Sequence, residues 1–211
     1  MMSQVRGGTR WKRFAVVMVP SVAATAAIGV ALAQGALAAS FSVSGQSFKV
    51  SADKLDGQGF SQYGALDTGT GLDGKSALHP VAVSAFTSAD ITNMCQSVVT
   101  PGIPYLGSVS LVLKAGGSGT PVHADNLYID VEDLGADATF RGIDIGVAAK
   151  DATKGPGMKG GGEQANPYGF AQQATSATLT DVKQTAWATT AGTFKLSGLK
   201  MSVSAGTHEC Y

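Results

Sequence analysis

Along much of this chain apolar side chains return at every second residue, and that period leaves little choice of backbone. Leu127, Ile129 and Val131 alternate with Tyr128, Asp130 and Glu132, and Ile143, Ile145 and Val147 alternate with Gly142, Asp144 and Gly146. A strand turns successive side chains to opposite faces, so this spacing gives one buried and one wet face. Further strands are expected at Phe41 to Val50, Val81 to Phe86, Val109 to Lys114 and Thr193 to Ser204. In the last of these, Phe194 and Leu196 are out of phase with Leu199, Met201 and Val203, so Ser197-Gly198 is read as a bulge or tight turn. Glu occurs only at 132, 163 and 209, while Ser, Thr, Gly, Val and Ala dominate, which is not the composition of a helical protein. The expected fold is all-β: one antiparallel domain, either a sandwich or a curved meandering sheet.

Gly- and Pro-rich connections divide these runs. The longest is 154–169 (KGPGMKGGGEQANPYG), read as an irregular, mobile loop, with smaller turns at 67–74 and 116–121. One short helix is conceivable between Pro167 and Thr175. A weak internal echo joins Ser51-Ala52-Asp53-Lys54-Leu55, Ser88-Ala89-Asp90-Ile91 and His123-Ala124-Asp125-Asn126-Leu127. Each sets a small residue and an Asp before an apolar one, which suits a turn entering a strand of a meander. Such a sheet, with a single apolar face, would cradle an acyl chain or lie against a membrane.

The N-terminus is a different kind of sequence. Arg6, Arg10, Lys12 and Arg13 precede an uncharged stretch that runs to Val43 and contains Ala36-Leu37-Ala38-Ala39. A basic start, an apolar core and an Ala-x-Ala step are the marks of an export signal, so 1–38 is read as a signal peptide or signal anchor and 39–211 as the extracytoplasmic domain. The apolar part, 14–33, is long enough to cross a hydrocarbon layer of about 30 Å, so cleavage and retention both remain open. Either way the protein is expected to be secreted or anchored on the outer face of the cytoplasmic membrane. Four of the fifteen Lys/Arg fall within the first 38 residues and none of the fifteen Asp/Glu does, so the remainder carries a net charge of −4. Phosphate backbones need clustered cations, so nucleic acid is not an expected partner.

Cys95 and Cys210 are the two cysteines. An even pair in an exported chain is most simply a disulfide, with two unpaired structural thiols as the alternative.

Chemical motifs are near misses. Gly69-Thr70-Gly71-Leu72-Asp73-Gly74-Lys75-Ser76 has the letters of a phosphate-binding loop, but no buried strand leads into it and Pro80 follows where a helix should run, so it is read as a turn and no nucleotide is expected. Gly59-Phe60-Ser61-Gln62-Tyr63-Gly64 is one residue too long for a nucleophile elbow. If the chain were a serine esterase, Ser61 would be the nucleophile, His208 the base and Asp181 the acid between them in chain order; otherwise Ser61 is a turn serine. His79, His123 and His208 are too scattered for a zinc site. Asp130 and Glu132 share a strand face with Asp133 opposed, and a solvated face describes them better than a calcium site. No metal or other cofactor is expected.

The start GGTRWKRFAVVMVPSVAATAAIGVALAQGALAASFSVSGQSFKVSADKLDGQGFSQYG, together with ITNMCQS, ADNLYIDVEDL and the closing AGTHECY, resembles an actinomycete family of exported proteins of unknown function, some of whose members are labelled cholesterol esterase. The resemblance spans nearly the whole chain and implies a Gram-positive envelope location beside a small membrane protein. It carries over no catalytic residue, because the nucleophile motif is missing. The function expected from these readings is that of a non-catalytic envelope protein that binds a lipid or other hydrophobic ligand, a membrane-protein partner or copies of itself through an apolar sheet face. The alternative is a lipid or sterol ester hydrolase.

Overall fold

A computed structural model describes residues 44–159 and 164–211. The signal or anchor segment, and part of the first expected strand, lie outside the described residues. Among the described residues the chain forms β1 (Phe48–Thr70), β2 (Ser76–Thr92), β3 (Met94–Ile103), β4 (Gly107–Ala115), β5 (Val122–Arg141), β6 (Asp144–Ala148), a single 3-10 turn (Ala149–Asp151), β7 (Gln164–Ala165), β8 (Phe170–Thr190), β9 (Thr193–Lys195) and β10 (Lys200–Ala205). All described pairings are antiparallel and belong to one sheet. The all-β fold is therefore present as one curved antiparallel sheet with a small barrel core rather than a sandwich, and its strand order is not that of a simple meander. Pro167 to Thr175 forms a turn and the start of β8, not a helix.

The sheet closes on itself. β1 pairs with β2, β2 with β5, β5 with β8, and β8 returns to β1, so four long strands make a small barrel without an open edge. Several of the separate strands are continuations of one another. β3 follows β2 along β1 in unchanged register, with Lys54 facing Thr92 and Ser51 facing Cys95. β9 likewise follows β8 along β5, and β6 follows β5 along β8. Three connections, β2 to β3, β4 to β5 and β9 to β10, meet at one level: the amide of Asn93 donates to Gly116 O at 3.0 Å and that of Gly116 to Ser197 O at 2.8 Å. Gly198, with φ +66°, turns the chain there, as the phase change predicts.

A barrel this narrow needs strands that coil sharply, and bulges supply the coil. Gly59, Asn93, Asn126 and Asp181 each adopt positive φ, at 62°, 53°, 48° and 52°. Asn and Asp tolerate this left-handed region better than other side-chain-bearing residues. At each one the buried phase slips by one residue. Val122 and Ala124 are buried before Asn126, and Leu127, Ile129 and Val131 after it; Ala177 and Leu179 before Asp181, and Val182 and Ala186 after it. All of these side chains enter one core, in which Phe60 lies 5.3 Å from Phe86 and 5.1 Å from Phe140 between ring centroids. Burying each ring contributes on the order of 2 kcal/mol. The three echoed Asp segments are thus strand interiors rather than turns: 51–55 lies in β1, 88–91 in β2 and 123–127 in β5.

Candidate functional site

Beyond the closed part of the barrel, β3, β4 and β10 continue as an open three-stranded sheet with β10 at its edge. Residues directly opposite each other in an antiparallel pair point to the same side. Gln96, Leu113 and Met201 form one such row, Val98, Leu111 and Val203 the next, and Thr100, Val109 and Ala205 the third. This face is continuous with the barrel interior, because the adjacent row is Met94 and Ala115, both in the core. Among the described residues no further strand covers it. Met201 and Val203 are 66% and 67% exposed, and Val98, Val109, Leu111 and Leu113 are half-buried.

The opposite face is mixed and occupied. It carries Ser97, Val112 and Ser202 in one row and Val99, Ser110 and Ser204 in the next, and the C-terminal tail crosses it. Ser110 Oγ donates to Gly206 O at 2.7 Å and accepts from the His208 amide at 2.8 Å, while Ser97 Oγ accepts from the Cys210 amide at 3.0 Å. The Cys95–Cys210 disulfide fastens the tail to β3. Lys49 Nζ adds an ion pair to Glu209 at 3.0 Å and sits 5.1 Å from the Tyr211 ring centroid. Beside the tail lies an open recess of about 780 Å³, lined by His208 and rimmed by charges of both signs: Asp53, Lys114, Asp181, Lys183 and Glu209.

The esterase candidates do not assemble. Ser61 is in the middle of β1, not in a turn, and is fully buried; its Oγ donates to Pro156 O at 2.6 Å. A carbonyl oxygen cannot take the hydroxyl proton as a base must, and no substrate reaches a serine in that position. Asp181 and His208 both line the recess beside the tail, and Ser61 is not among its lining residues. Asp181 is the bulge residue of β8, and the His208 ring places Nε2 3.1 Å from Ala205 O. The phosphate-loop look-alike is the β1–β2 hairpin tip, closed by Gly71 N–H to Lys75 O at 2.8 Å and by the Lys75 amide to Asp73 Oδ1 at 3.0 Å.

Residues 44–211, which include the apolar face, the tail and the recess, match a family of unknown function (DUF6230). The chain belongs to this family. No curated protein and no solved structure matches it. The family's description names no activity, so the chemistry of the DUF6230 domain has to be argued from its own residues.

One cluster in the DUF6230 domain escapes sequence reasoning. Asp130 is not on a wet face: it is 1% exposed, and its Oδ2 accepts from Lys159 Nζ at 2.8 Å. Asp67 is also buried, and its carboxyl is pushed up to about 6, first by burial and then by the charge of Asp130, with Lys159 opposing. Asp67 faces His79 across β1 and β2, and the His79 ring stacks on Trp187 at 3.5 Å between centroids. Asp67 Oδ2, Asp130 Oδ1 and His79 Nε2 find no hydrogen-bond partner among the described residues. Among those residues no group of three or more His, Cys, Asp and Glu is arranged to hold a metal ion.

Lys159 ends a strap, 153–159, that crosses β1, β5 and β8 in the DUF6230 domain. The amides of Thr153 and Lys154 donate to Gln173 Oε1 at 2.7 and 2.9 Å, Tyr128 Oη donates to Gly157 O at 3.2 Å, and the Lys159 amide donates to Tyr63 Oη at 2.9 Å. Gly155 approaches the backbone of Phe60 and Ser61 so closely that no Cβ fits. The first half of the expected mobile loop is irregular but pinned.

Proposed function

We propose that this DUF6230 member is an exported, non-catalytic protein of the cell envelope that binds lipid through the apolar face of β3, β4 and β10. The supporting observation is that face: three aligned rows of mostly apolar side chains, continuous with the core, that nothing among the described residues covers. Apolar groups presented in register on an edge sheet mark an interaction surface rather than scattered exposure. The core of the barrel is filled by Phe60, Phe86 and Phe140, which favours lipid lying on the open face over an acyl chain held inside. The disulfide is in keeping with an oxidising compartment.

Native mass spectrometry of the full chain, released gently from producing cells, tests this reading. The unsubstituted protein is expected to retain lipid, and Met201→Ser/Val203→Ser to lose it with an unchanged thermal midpoint. Retention unaffected by the double substitution, or no lipid on either protein, would overturn it.

A further inference from the structure

We infer that β10 is an assembly edge, through which two copies of this chain pair antiparallel and join their open three-stranded sheets into one six-stranded sheet. The inference goes beyond the lipid reading and does not rest on it, because pairing edge to edge leaves the apolar face open.

The backbone shows which groups are on offer. The Gly206 amide donates to Ser108 O at 2.9 Å, and β10 pairs with β4 without a register shift from Lys200 opposite Lys114 to Ala205 opposite Val109. In an antiparallel ladder alternate residues turn both N–H and C=O to the same neighbour. Lys200, Ser202 and Ser204 therefore bond β4, while Met201, Val203 and Ala205 turn their backbone groups outward. Nothing among the described residues pairs with that side of β10.

Other edges of the sheet are blunted. By the same alternation β3 turns Val99 and Pro101 away from β4, but Val99 O already accepts from Gln46 Nε2 at 2.7 Å and Pro101 has no N–H to give. The register shifts again just beyond, between Pro101 and Ile103. At the far end of the sheet β6 shifts register between Ile145 and Val147, around Gly146 with φ +91°. Proline and bulges are the devices that keep a sheet edge from accepting another strand. β10 carries neither.

The sequence of β10 then selects the partner. Two registers about a twofold axis pair five residues of β10 with its own copy, and the one centred on Ser202 sets the exposed apolar side chains against each other. Met201 stands opposite Val203 of the second copy, Ser202 opposite Ser202, and Lys200 opposite Ser204 rather than another cation. Opposed residues share a side, so the row of Leu113 and Met201 runs on into Val203 and Leu111 of the second copy. Residues 201 and 203 meet as a hydrogen-bonded pair and exchange both N–H···O bonds, using the outward groups that β4 leaves free. The tail does not obstruct this, because it leaves β10 toward Ser110 and Ser97. The contact is small, so the dimer is expected at concentrations on the order of tens of micromolar.

The test is sedimentation equilibrium of the full chain in mild detergent, with Val203→Pro, Ser202→Cys and Ser204→Cys made separately. Val203→Pro deletes an N–H that β4 does not use, and an unchanged thermal midpoint checks that it folds. In the dimer the two 202 positions form a non-hydrogen-bonded pair about 4.5 Å apart, within reach of a disulfide, whereas the two 204 positions are about 13 Å apart along the strands. Cys95 and Cys210 are bonded to each other and do not interfere. The expected result is a dimer that Val203→Pro abolishes and that mild oxidation crosslinks through 202 but not through 204. A monomer at every concentration would overturn the inference, and so would a dimer that crosslinks no better through 202 than through 204. If Val203→Pro fails to fold, the two cysteine variants still decide.

Discussion

Lys159 Nζ stands 2.8 Å from Asp130 Oδ2, and one atom pair thereby ties the end of the Gly-rich strap to the centre of β5. Asp130 is 1% exposed and Lys159 keeps 14% of its side chain in solvent. Lys159→Met removes the cation and leaves a buried carboxylate without its counter-charge, a loss of about 3 kcal/mol in urea unfolding. Lys159→Met/Asp130→Leu removes both charges and is expected to recover most of that loss. If the double variant is no better than the single one, the pair is not what holds the strap.

Stability should fall as pH rises through the range in which Asp67 ionises. Its folded carboxyl titrates at about 6, against 3.8 for an unperturbed aspartate. The folded state therefore holds this proton more tightly, the favourable contribution is complete below the unfolded value, and it is lost as pH passes the folded one. After allowance for solvent screening, the change between pH 4 and 7 is on the order of 1 kcal/mol. Asp67→Asn should be more stable than the unsubstituted protein at pH 8 and show a flatter profile in urea midpoints. Toward lower pH the opposite sign takes over, because Lys54 holds Asp56 below the usual carboxylate range, and that contribution disappears on protonation.

The Cys95–Cys210 bridge closes a loop with a separation of 115 residues. In the chain-entropy description such a loop contributes about 5 kcal/mol. Reduction, or Cys95→Ser/Cys210→Ser, should lower the urea midpoint accordingly and expose the tail amides of His208 and Cys210 to hydrogen exchange first. Unchanged exchange at those amides would mean that the contacts of Ser97, Ser110 and Lys49 hold the tail without the bridge.

Asp181 separates a structural role from a chemical one. Asp181→Gly keeps the left-handed conformation without strain and should change stability by no more than about 0.5 kcal/mol, whereas Asp181→Val forces a β-branched residue into it at a loss of about 2 kcal/mol. Equal tolerance of Gly and Val in thermal unfolding would remove the bulge explanation.

These same bulges decided what the sequence could reveal. Leu127, Ile129 and Val131 were legible as a strand because their buried phase is unbroken, although the pairing with β8 shifts register at Val131. Across Asn93, Asn126 and Asp181 the buried phase slips, so long strands read as short ones and the Asp-containing echoes read as turns. Ser197-Gly198 was legible because its break falls between two clear alternations, and the disulfide because the cysteines were two. The Asp67, Asp130 and Lys159 cluster was not legible. Its members come from β1, β5 and the strap, and Asp130 is enclosed because the strap covers the face that alternation leaves wet. The only trace was an acidic residue between Ile129 and Val131. Ser61 misled for the converse reason: its glycine-flanked context suggests a turn, yet Gly59 makes a bulge inside a continuous strand.

The coincidence of the breaks at Asn93, Gly116 and Ser197 gives the molecule two storeys that share strands but not register constraints. Two residues added to each of β3, β4 and β10 would lengthen the lower storey by one full pleat while every pairing above the breaks stayed in place. The reach of the open sheet beyond the barrel can thus be adjusted without rebuilding the barrel itself.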